Sequence, residues 1–407
     1  MTAKNLFLFV KQCLYLLFYH LVSFYPRNKK VWLYGATFRD NTKYFFLYAS
    51  QNLPEIKHVW ISPKVEVVEK LRSLGLTAYR RNSFTSIYYA LIAKVYICHA
   101  QPKEIIHPCF RGSAILFNLW HGVGIKKIEY DITKGPERPK VNPKTLREKF
   151  LSFIEEPKTF RNASAVLTTG REMALIFSSA FKLPLNKVCI GPYPRNTVLL
   201  NDFSQLKKHI EKFESLELAQ LSSELSNYAV VIIYMPTYRD INPNFMMEAI
   251  SDFDRLHSLC KKNNFLFLIK SHVSTRFSID LSKYSNIRNL DGAIDIYPLL
   301  PFTDALISDY SSIILDYSFL NKKIIFYPFD KEQYLSKDRE FYFEYEEMFT
   351  SDYLASFDDL MKELETLSNQ DMKKLTFDYP NCKRFFDKDL EIEDITKFIK
   401  KEISYYD

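Results

Sequence analysis

The chain has 407 residues, a length that predicts two to three domains. Hydrophobic residues make up 47% and charged residues 25%, which excludes a disordered or fibrous protein. The formal net charge of +7 suits an anionic substrate or an anionic membrane surface. Nucleic acid is not indicated as a partner, because the sequence has no arginine-rich tract or zinc-finger spacing. The six cysteines are scattered without paired spacing, which favours a reduced cytosolic setting and indicates neither disulfides nor a zinc site.

The first 27 residues are predicted to form a membrane-associating helix. Residues 5–25 are apolar and aromatic, but Lys11 and Gln12 interrupt them, so no clean run of 18 apolar residues is present. No small-residue cleavage site follows, which argues against a signal peptide. Lys4 and Lys11 share one helical face, as in a helix lying among lipid headgroups. Packing against its own domain and true membrane spanning remain the alternatives.

Residues 28–200 alternate between strand and helix patterns, which predicts a parallel sheet with helices on both faces. A basic insertion at residues 126–161 is expected to be a long mobile loop or, alternatively, a lid over a polyanion. A second alternating series occupies residues 201–375, and residues 376–407 are predicted to be helices that pack back across the interface. The fold class is therefore α/β, with two doubly wound Rossmann-like domains facing a cleft. The predicted elements are strands at 31–34, 59–61, 76–79, 95–98, 115–119, 165–169, 188–190, 229–234, 265–269, 287–290, 305–307 and 323–327, an apolar segment at 295–300, and helices at 65–74, 83–93, 172–181, 253–262 and 311–320.

Four apolar strands run into polar turns, and the carboxyl ends of parallel strands are where α/β proteins bind ligands. We expect these turns to share one cleft. They are Leu119-Trp120-His121-Gly122, Met235-Pro236-Thr237-Tyr238-Arg239-Asp240, Leu268-Ile269-Lys270-Ser271-His272 and Ile307-Ser308-Asp309-Tyr310-Ser311-Ser312.

His121 is the candidate acid or base, because imidazole titrates near neutrality, and Gly122 after it lets a substrate approach the backbone. A structural role for this histidine is the alternative. Lys270 and His272 both point into the cleft if their strand has ended before them.

Hydroxyl and cationic side chains in the second domain are candidate ligands for phosphate. Arg239 has a planar fork suited to two phosphate oxygens, or else forms a surface ion pair with Asp240. The Thr237 hydroxyl donates a hydrogen bond to phosphate or, alternatively, makes a hydrogen bond within its own turn. Ser311 and Ser312 would hold phosphate oxygens at a helix start, unless Asp309 or Ser311 simply caps that helix. Gly122, Lys270 and Asp309 complete the predicted set of substrate-binding residues.

Four stretches follow one another along the chain: Leu119-Trp120-His121-Gly122-Val123-Gly124-Ile125-Lys126-Lys127, Met235-Pro236-Thr237-Tyr238-Arg239-Asp240, Ser308-Asp309-Tyr310-Ser311-Ser312-Ile313-Ile314-Leu315-Asp316 and Ile324-Ile325-Phe326-Tyr327. In this order they resemble the CDP-glycerol glycerophosphotransferase family over about residues 35–345. That family contains teichoic-acid primases and polymerases and related capsule enzymes. The resemblance implies a GT-B-type fold, peripheral attachment to the cytoplasmic face of the cell membrane, and transfer of a polyol phosphate from a CDP-activated donor. By the same resemblance, His121 corresponds to the catalytic base and His272 to a second essential histidine. The donor's pyrophosphate would lie against Thr237, Arg239, Ser311 and Ser312.

The chain departs from the family pattern at three places. Val273 replaces a proline after the second histidine, the turn at residues 191–196 has an extra proline, and residues 349–351 are Phe-Thr-Ser instead of Pro-Gly-Pro. These departures leave open which polyol is transferred and to which acceptor.

The expected partners are a CDP-polyol, with CDP-glycerol the first choice, a lipid-linked or glycan acceptor, and an anionic membrane surface. No cofactor is expected to be required, and the use of a divalent cation stays open. The alternatives are a nucleotide-sugar glycosyltransferase of surface polysaccharide synthesis and a catalytically silent binding protein of the same fold. Oligomeric state is not indicated.

Overall fold

A computed structural model describes residues 2–35, 37–239, 241–242, 244–271, 275 and 279–405. The chain divides into two compact units, which we call the first and second domains. The first domain comprises Met1–Arg195 together with Phe385–Asp407, and the second comprises Asn196–Arg384. The last segment of the chain is therefore part of the first domain, where its helix packs beside two of the strands.

In the described part of the first domain, seven parallel strands form one sheet. They are β1 Asn28–Gly35, β2 Lys57–Ser62, β3 Ala78–Arg80, β4 Ala93–Cys98, β5 Ile115–Asn118, β6 Ala165–Thr168 and β7 Val188–Ile190. Their order is β3-β2-β1-β4-β5-β6-β7, so the direction of winding reverses between β1 and β4. The central strands are mostly apolar and buried on both faces, as parallel strands covered by helices require.

The described residues of the second domain form a five-stranded parallel sheet with the same order of winding. Its strands are β8 Val230–Tyr234, β9 Phe265–Ile269, β10 Ile287–Asn289, β11 Ala305–Ser308 and β12 Lys323–Phe326. The order β10-β9-β8-β11-β12 reverses between β8 and β11. The prediction of two doubly wound Rossmann-like domains is thus confirmed.

Helices cover both sheets. In chain order they are α1 Ala3–Ser23, α2 Asp40–Asn52, α3 Val65–Ser73, α4 Phe84–Ile92, α5 Arg138–Val141, α6 Leu146–Glu155, α7 Lys158–Arg161, α8 Arg171–Phe181, α9 Phe203–Phe213, α10 Leu216–Glu224, α11 Met246–Ala249, α12 Phe253–Lys262, α13 Ile313–Tyr317, α14 Lys331–Lys337, α15 Tyr345–Met348, α16 Phe357–Leu367, α17 Pro380–Lys383 and α18 Ile392–Tyr405. The segment at 295–300 is largely a 3-10 helix, Tyr297–Phe302. Pro298 and Pro301 explain this, because proline cannot donate to a strand ladder.

Helix α1 packs one face against the first domain and exposes the other. On the packed face, the Phe9 ring stacks on Phe150 at 5.8 Å, and Gln12 Nε2 donates to the carbonyl of Ile154 at 3.2 Å. The Arg27 guanidinium, just after the helix, donates to the carbonyl of Arg111 at 2.6 Å. By length and composition α1 is able to cross a membrane. Only 11% of its most apolar 18-residue stretch is buried within the protein. The exposed face carries apolar residues at alternating spacings of three and four: Phe7, Val10, Leu14, Leu17, Leu21 and Phe24.

The basic insertion at residues 126–161 is folded rather than an extended loop. It contains α5, α6 and α7, and α6 begins with a capping box between Thr145 and Glu148. The Arg138 guanidinium pairs with the Glu148 carboxylate. Helix α6 also contacts α1, so the insertion supports the N-terminal helix.

Candidate functional site

The turn that carries His121 begins directly after β5. The side chain of Asn118, the last residue of β5, accepts a hydrogen bond from the Trp120 backbone N–H at 2.8 Å. Trp120 then adopts a φ of +52°, a left-handed conformation that is unfavourable for a bulky residue. Such strain persists only where surrounding contacts enforce it, and it clusters at functional sites. The chain therefore turns sharply immediately before the histidine.

The imidazole of His121 is held in one tautomer. Its Nδ1 lies 2.9 Å from the carbonyl oxygen of His99, the residue that follows β4. A carbonyl can only accept, so Nδ1 carries the proton and Nε2 of the neutral ring presents its lone pair. The ring is exposed to solvent, with the Trp120 ring packed against it at 4.3 Å between centroids. Nε2 is therefore available as a proton acceptor.

The pKa of His121 is lowered from its ordinary value. Desolvation by the surrounding protein is the largest cause, and the positive charge of Arg195 acts in the same direction. The negative charge of Asp40 and the hydrogen bond to His99 oppose this shift. At neutral pH the imidazole is accordingly in its basic form.

Two residues at the start of α2, together with Arg195, fix the His121 turn. The Asn41 side-chain amide donates to the carbonyls of Leu119 at 3.1 Å and Trp120 at 2.9 Å. Arg195 Nη1 donates at 2.8 Å both to the carbonyl of His121 and to Asp40 Oδ1. Arg195 is only 2% exposed. Burial tends to raise the pKa of Asp40, but Arg195 and neighbouring histidines hold it below its ordinary value, so this carboxylate is charged.

Four residues of this site were not predicted from the sequence: Asp40, Asn41, His99 and Arg195. His99 follows a buried strand directly, so the rule that selected His121 would have found it. Asp40 and Asn41 were missed because α2 itself was not predicted. Its aromatic and polar composition has low intrinsic helix propensity. Arg195 lies in the turn at residues 191–196, where the sequence drew attention only to an extra proline.

Gly122 is buried, and its carbonyl accepts a hydrogen bond from the Tyr193 hydroxyl at 2.7 Å. This contact fixes the turn from the side of the proline-rich segment after β7. The predicted approach of a substrate to the Gly122 backbone stays a prediction.

In the second domain, Asp309 joins the two turns at the point where the sheet reverses. Its carboxylate accepts from the Thr237 backbone N–H at 2.9 Å and from the Tyr310 backbone N–H at 2.5 Å. It is completely buried and also accepts from Arg239 Nη1 at 2.8 Å. The Thr237 hydroxyl oxygen is itself buried, and the described structure offers it no hydrogen-bond partner. Within the residues that the structure describes, this hydroxyl is therefore an unused donor.

Arg239 is buried, and its described hydrogen bonds lie within its own domain. Its predicted contact with phosphate stays a prediction, and Asp240, the partner in the alternative surface pair, lies outside the described residues. The Arg239 side chain is 1% exposed, and Nε and Nη2 donate to the two oxygens of Asp330 at 2.8 and 2.7 Å. Nη1 also donates to the carbonyl of Thr237. The guanidinium nitrogens thus donate to carboxylates and to a backbone carbonyl of the same domain. Four aromatic rings enclose the guanidinium group with centroids 4.7–5.4 Å away: Phe245, Tyr310, Phe329 and Tyr334.

Ser311 and Ser312 are partly exposed before α13. The Ser312 side chain makes no capping hydrogen bond, and Ser311 Oγ accepts from the Ile313 backbone N–H at the long distance of 3.4 Å. Lys270 is nearly buried, and its ammonium donates to the carbonyl of Gly292 at 2.7 Å. His272 lies outside the described residues. Among the residues that are described, no group of three His, Cys, Asp or Glu side chains is arranged to hold a metal ion.

These features define a class: a GT-B-type α/β protein with two Rossmann-like domains, one carrying a tautomer-fixed histidine and the other a cluster of hydroxyls at its sheet reversal. A comparison with known families gives the assignment within that class. The chain belongs to the CDP-glycerol:poly(glycerophosphate) glycerophosphotransferase family, which matches residues 17–394.

Two curated relatives illustrate the range of the family. The teichoic acid poly(glycerol phosphate) polymerase of Staphylococcus epidermidis is 25% identical over 340 residues, which cover 82% of this chain and 44% of that protein. The teichoic acid ribitol-phosphate polymerase TarL of Staphylococcus aureus is 28% identical over 279 residues, which cover 66% of this chain and 45% of that protein. The chain thus spans less than half the length of these relatives.

A solved structure of a variant of the wall teichoic acid polymerase TagF, soaked with CDPG, superposes with a TM-score of 0.68. The match covers 100% of this chain and 99% of that chain at 21% sequence identity. At this identity the likeness shows the fold alone.

Proposed function

We propose that this protein transfers glycerol phosphate from CDP-glycerol to an acceptor hydroxyl during synthesis of a teichoic-acid-like polymer. The acceptor oxygen forms a bond to the β-phosphorus of the donor. The bond from that phosphorus to the bridging oxygen breaks, and CMP leaves with the electron pair. The observation that carries the proposal is the fixed tautomer of His121, whose Nε2 is the unprotonated nitrogen of the neutral ring.

His121 acts as the general base in this proposal. Nε2 takes the proton of the acceptor hydroxyl as the oxygen attacks, and the hydrogen bond from Nδ1 to the His99 carbonyl keeps the ring in the required orientation. The lowered pKa keeps the base unprotonated at physiological pH. The strained turn at Trp120 supports this role, because it sets the direction in which the next side chain points.

The second domain binds the donor in this proposal. The Thr237 hydroxyl, which has no protein partner in the described structure, donates to a pyrophosphate oxygen. Ser311 and Ser312 add hydroxyl donors at the adjacent turn. Asp309 and Arg239 hold the Thr237 backbone in place. Phosphoryl transfer depends mostly on such positioning and on stabilisation of charge.

The choice of glycerol over ribitol rests on the description of the family and on the S. epidermidis relative. The similarity to TarL makes CDP-ribitol the natural competing donor. A screen of both donors for CMP release, with bacterial membranes as the source of acceptor, distinguishes them. Identification of the labelled product as a lipid-linked, teichoic-acid or capsular polymer assigns the acceptor.

The test of the catalytic role is His121→Asn, which preserves polarity and removes the base. CMP release should fall about a hundred- to ten-thousand-fold, while affinity for CDP-glycerol changes little. The matched control is His257→Asn, which replaces a histidine on the surface of α12. If His121→Asn releases CMP at the parent rate and the control does likewise, the assignment of the base is wrong.

Product analysis separates the proposal from a nucleotide-sugar glycosyltransferase. A phosphodiester product together with CMP supports glycerophosphate transfer. A glycoside together with a nucleoside diphosphate supports the glycosyltransferase. A silent binding protein would release neither nucleotide with any combination of donor and acceptor.

We also propose that α1 attaches the protein to the cytoplasmic face of the membrane. Its exposed apolar stripe and the exposed Lys4, Lys11, Lys29 and Lys30 suit an interfacial helix against anionic lipid. The packed face makes deletion of the helix a poor test, because deletion would also uncover the domain.

The sharper test replaces Leu14 and Leu17 together by Gln, since these side chains are 61% and 58% exposed. Binding to vesicles containing anionic lipid should fall by about tenfold or more. The control replaces Leu175 and Leu216, which are 64% and 75% exposed elsewhere on the protein. Unchanged sedimentation of the α1 variant with vesicles would move the attachment surface away from this stripe.

A further inference from the structure

His121 is held at both ends by groups outside its own turn. The His99 carbonyl accepts from Nδ1 of the ring, and Arg195 Nη1 donates to the His121 carbonyl oxygen. The same Arg195 nitrogen donates at 2.8 Å to Oδ1 of Asp40. A single buried guanidinium group therefore connects the backbone of the histidine to a carboxylate at the start of α2.

We infer that Asp40 and Arg195 are positioning residues for His121: Arg195 fixes the backbone of the histidine, and Asp40 supplies the negative charge that stabilises the imidazolium formed when Nε2 takes a proton. This inference rests on the proposed function, in which His121 is the base. It assigns to that site one residue that stabilises the imidazolium, Asp40, and one that holds the His121 backbone, Arg195.

The groups that face the ring have opposing effects on its protonation. Asp40 is the carboxylate among them, and its negative charge favours the protonated ring. The positive charges of Arg195 and Arg39 disfavour it, and His99 is a second imidazole close by. Although the ring reaches solvent, the surrounding protein partly desolvates it and so disfavours its charged form. Without Asp40 the imidazolium would have no compensating charge in this group. His99 is buried and its pKa is lowered to about 4, which keeps it neutral at physiological pH. The negative charge of Asp40 thus stabilises the protonated form of His121 against this partial desolvation.

A purely structural role for Asp40 is the competing explanation. Its carboxylate also accepts from the adjacent Asn41 backbone N–H at 2.7 Å, as a local turn would require. Asp40 has a φ of +60°, so the backbone is strained at the point where the carboxylate meets Arg195. A structural role predicts lower stability when the side chain is changed. It predicts no change in the pH at which His121 titrates.

Asp40→Asn separates the two roles, because the amide oxygen still accepts from Arg195 while the charge is lost. The His121 ring resonance, identified by its absence in His121→Asn, is followed by NMR against pH without substrate. We expect its titration to move to lower pH by about half to one unit. The acid limb of the kcat profile for CMP release should move in the same direction, with kcat lowered about tenfold and KM for CDP-glycerol within twofold. Glu55→Gln, at an exposed ion pair with Lys400, is the control for loss of one charge.

Arg195 is tested with Arg195→Lys and Arg195→Gln. Lysine keeps one donor and the charge, so it should restore part of the rate that glutamine loses, and thermal unfolding shows whether both variants are folded. An unchanged His121 titration in folded Asp40→Asn overturns the inference, whatever the activity. Failure of the proposed function gives a different pattern: His121→Asn would keep the parent rate while the NMR shift in Asp40→Asn persists.

Discussion

The two domains use the same strand order but treat their polar turns in opposite ways. In the first domain, the residue predicted to react, His121, is exposed, and its neighbours bond Nδ1 and the backbone carbonyl, so that Nε2 is the ring nitrogen left as an acceptor. In the second domain, Arg239 is buried, and its fork is bonded to two carboxylates and a backbone carbonyl. A polar residue after a buried strand is therefore either a reactant or a scaffold, and its unused hydrogen-bonding capacity distinguishes the two.

The largest expected effect is on the scaffold of the second domain. Arg239→Ala leaves Asp309 and Asp330 without their cation in a largely buried place, which should lower the free energy of unfolding by about 3–5 kcal/mol. Denaturant titration monitored by circular dichroism measures the loss. The matched control is Arg255→Ala, which removes an exposed pair with Asp358 and should cost less than about 1 kcal/mol. Equal stability of the two variants would show that the Arg239 network is not a scaffold.

Acid should destabilise the first domain through its buried histidines. His58 Nδ1 accepts from the Tyr34 hydroxyl, and Nε2 donates to the Leu53 carbonyl. Both ring nitrogens of the neutral imidazole are therefore hydrogen-bonded. Desolvation lowers its pKa to about 4. The unfolded chain, with an ordinary pKa near 6.5, takes up the proton first. Stability is therefore complete above about pH 6.5 and is lost as pH falls toward 4, by about 2 kcal/mol at pH 5 for this residue.

Tryptophan fluorescence isolates this effect, because all three tryptophans (Trp32, Trp60 and Trp120) lie in the first domain. Urea midpoints followed by fluorescence should fall between pH 7.5 and 5, and less so in His58→Gln. A variant that loses stability with pH as steeply as the parent would exclude His58 as the source.

Thr237→Val tests whether the unused hydroxyl belongs to the donor site. The substitution removes a buried oxygen that has no partner in the described structure, so stability should be unchanged or slightly higher. Affinity for CDP-glycerol, measured by calorimetry, should fall about tenfold if this hydroxyl donates to the pyrophosphate. Thr237→Ser keeps the hydroxyl and should bind like the parent. Unchanged affinity in Thr237→Val would remove this residue from the site.

The smallest expected effect concerns the support of the histidine turn. Tyr193→Phe removes the hydroxyl that donates to the Gly122 carbonyl and leaves that buried acceptor unpaired. The free energy of unfolding should fall by about 1 kcal/mol. CMP release should fall by no more than a few-fold, because His99 and Arg195 still hold His121. A loss as large as that of His121→Asn would instead place Tyr193 in direct contact with the reacting groups.

Sequence patterns were sufficient for the architecture and for His121, because strand and helix periodicity and a polar turn after a strand are local signals. They did not reveal the environment of Arg239, since a sequence shows that an arginine follows a strand but not that Asp330, 91 residues later, pairs with it. They also missed Asp40, because α2 lacks a clear helical pattern. The partners of a site residue come from distant parts of the chain, so contacts reveal them and local composition does not.

The first domain is built from two stretches of chain separated by the whole second domain. Its last helix, α18, lies against β5 and β7, and Glu402 on that helix is buried and pairs with Lys187 at 2.7 Å. During synthesis, the second domain is an uninterrupted stretch that leaves the ribosome before α18 does. The first domain is therefore begun before the second domain is made and is finished only after it, when α18 becomes available to pack against β5 and β7.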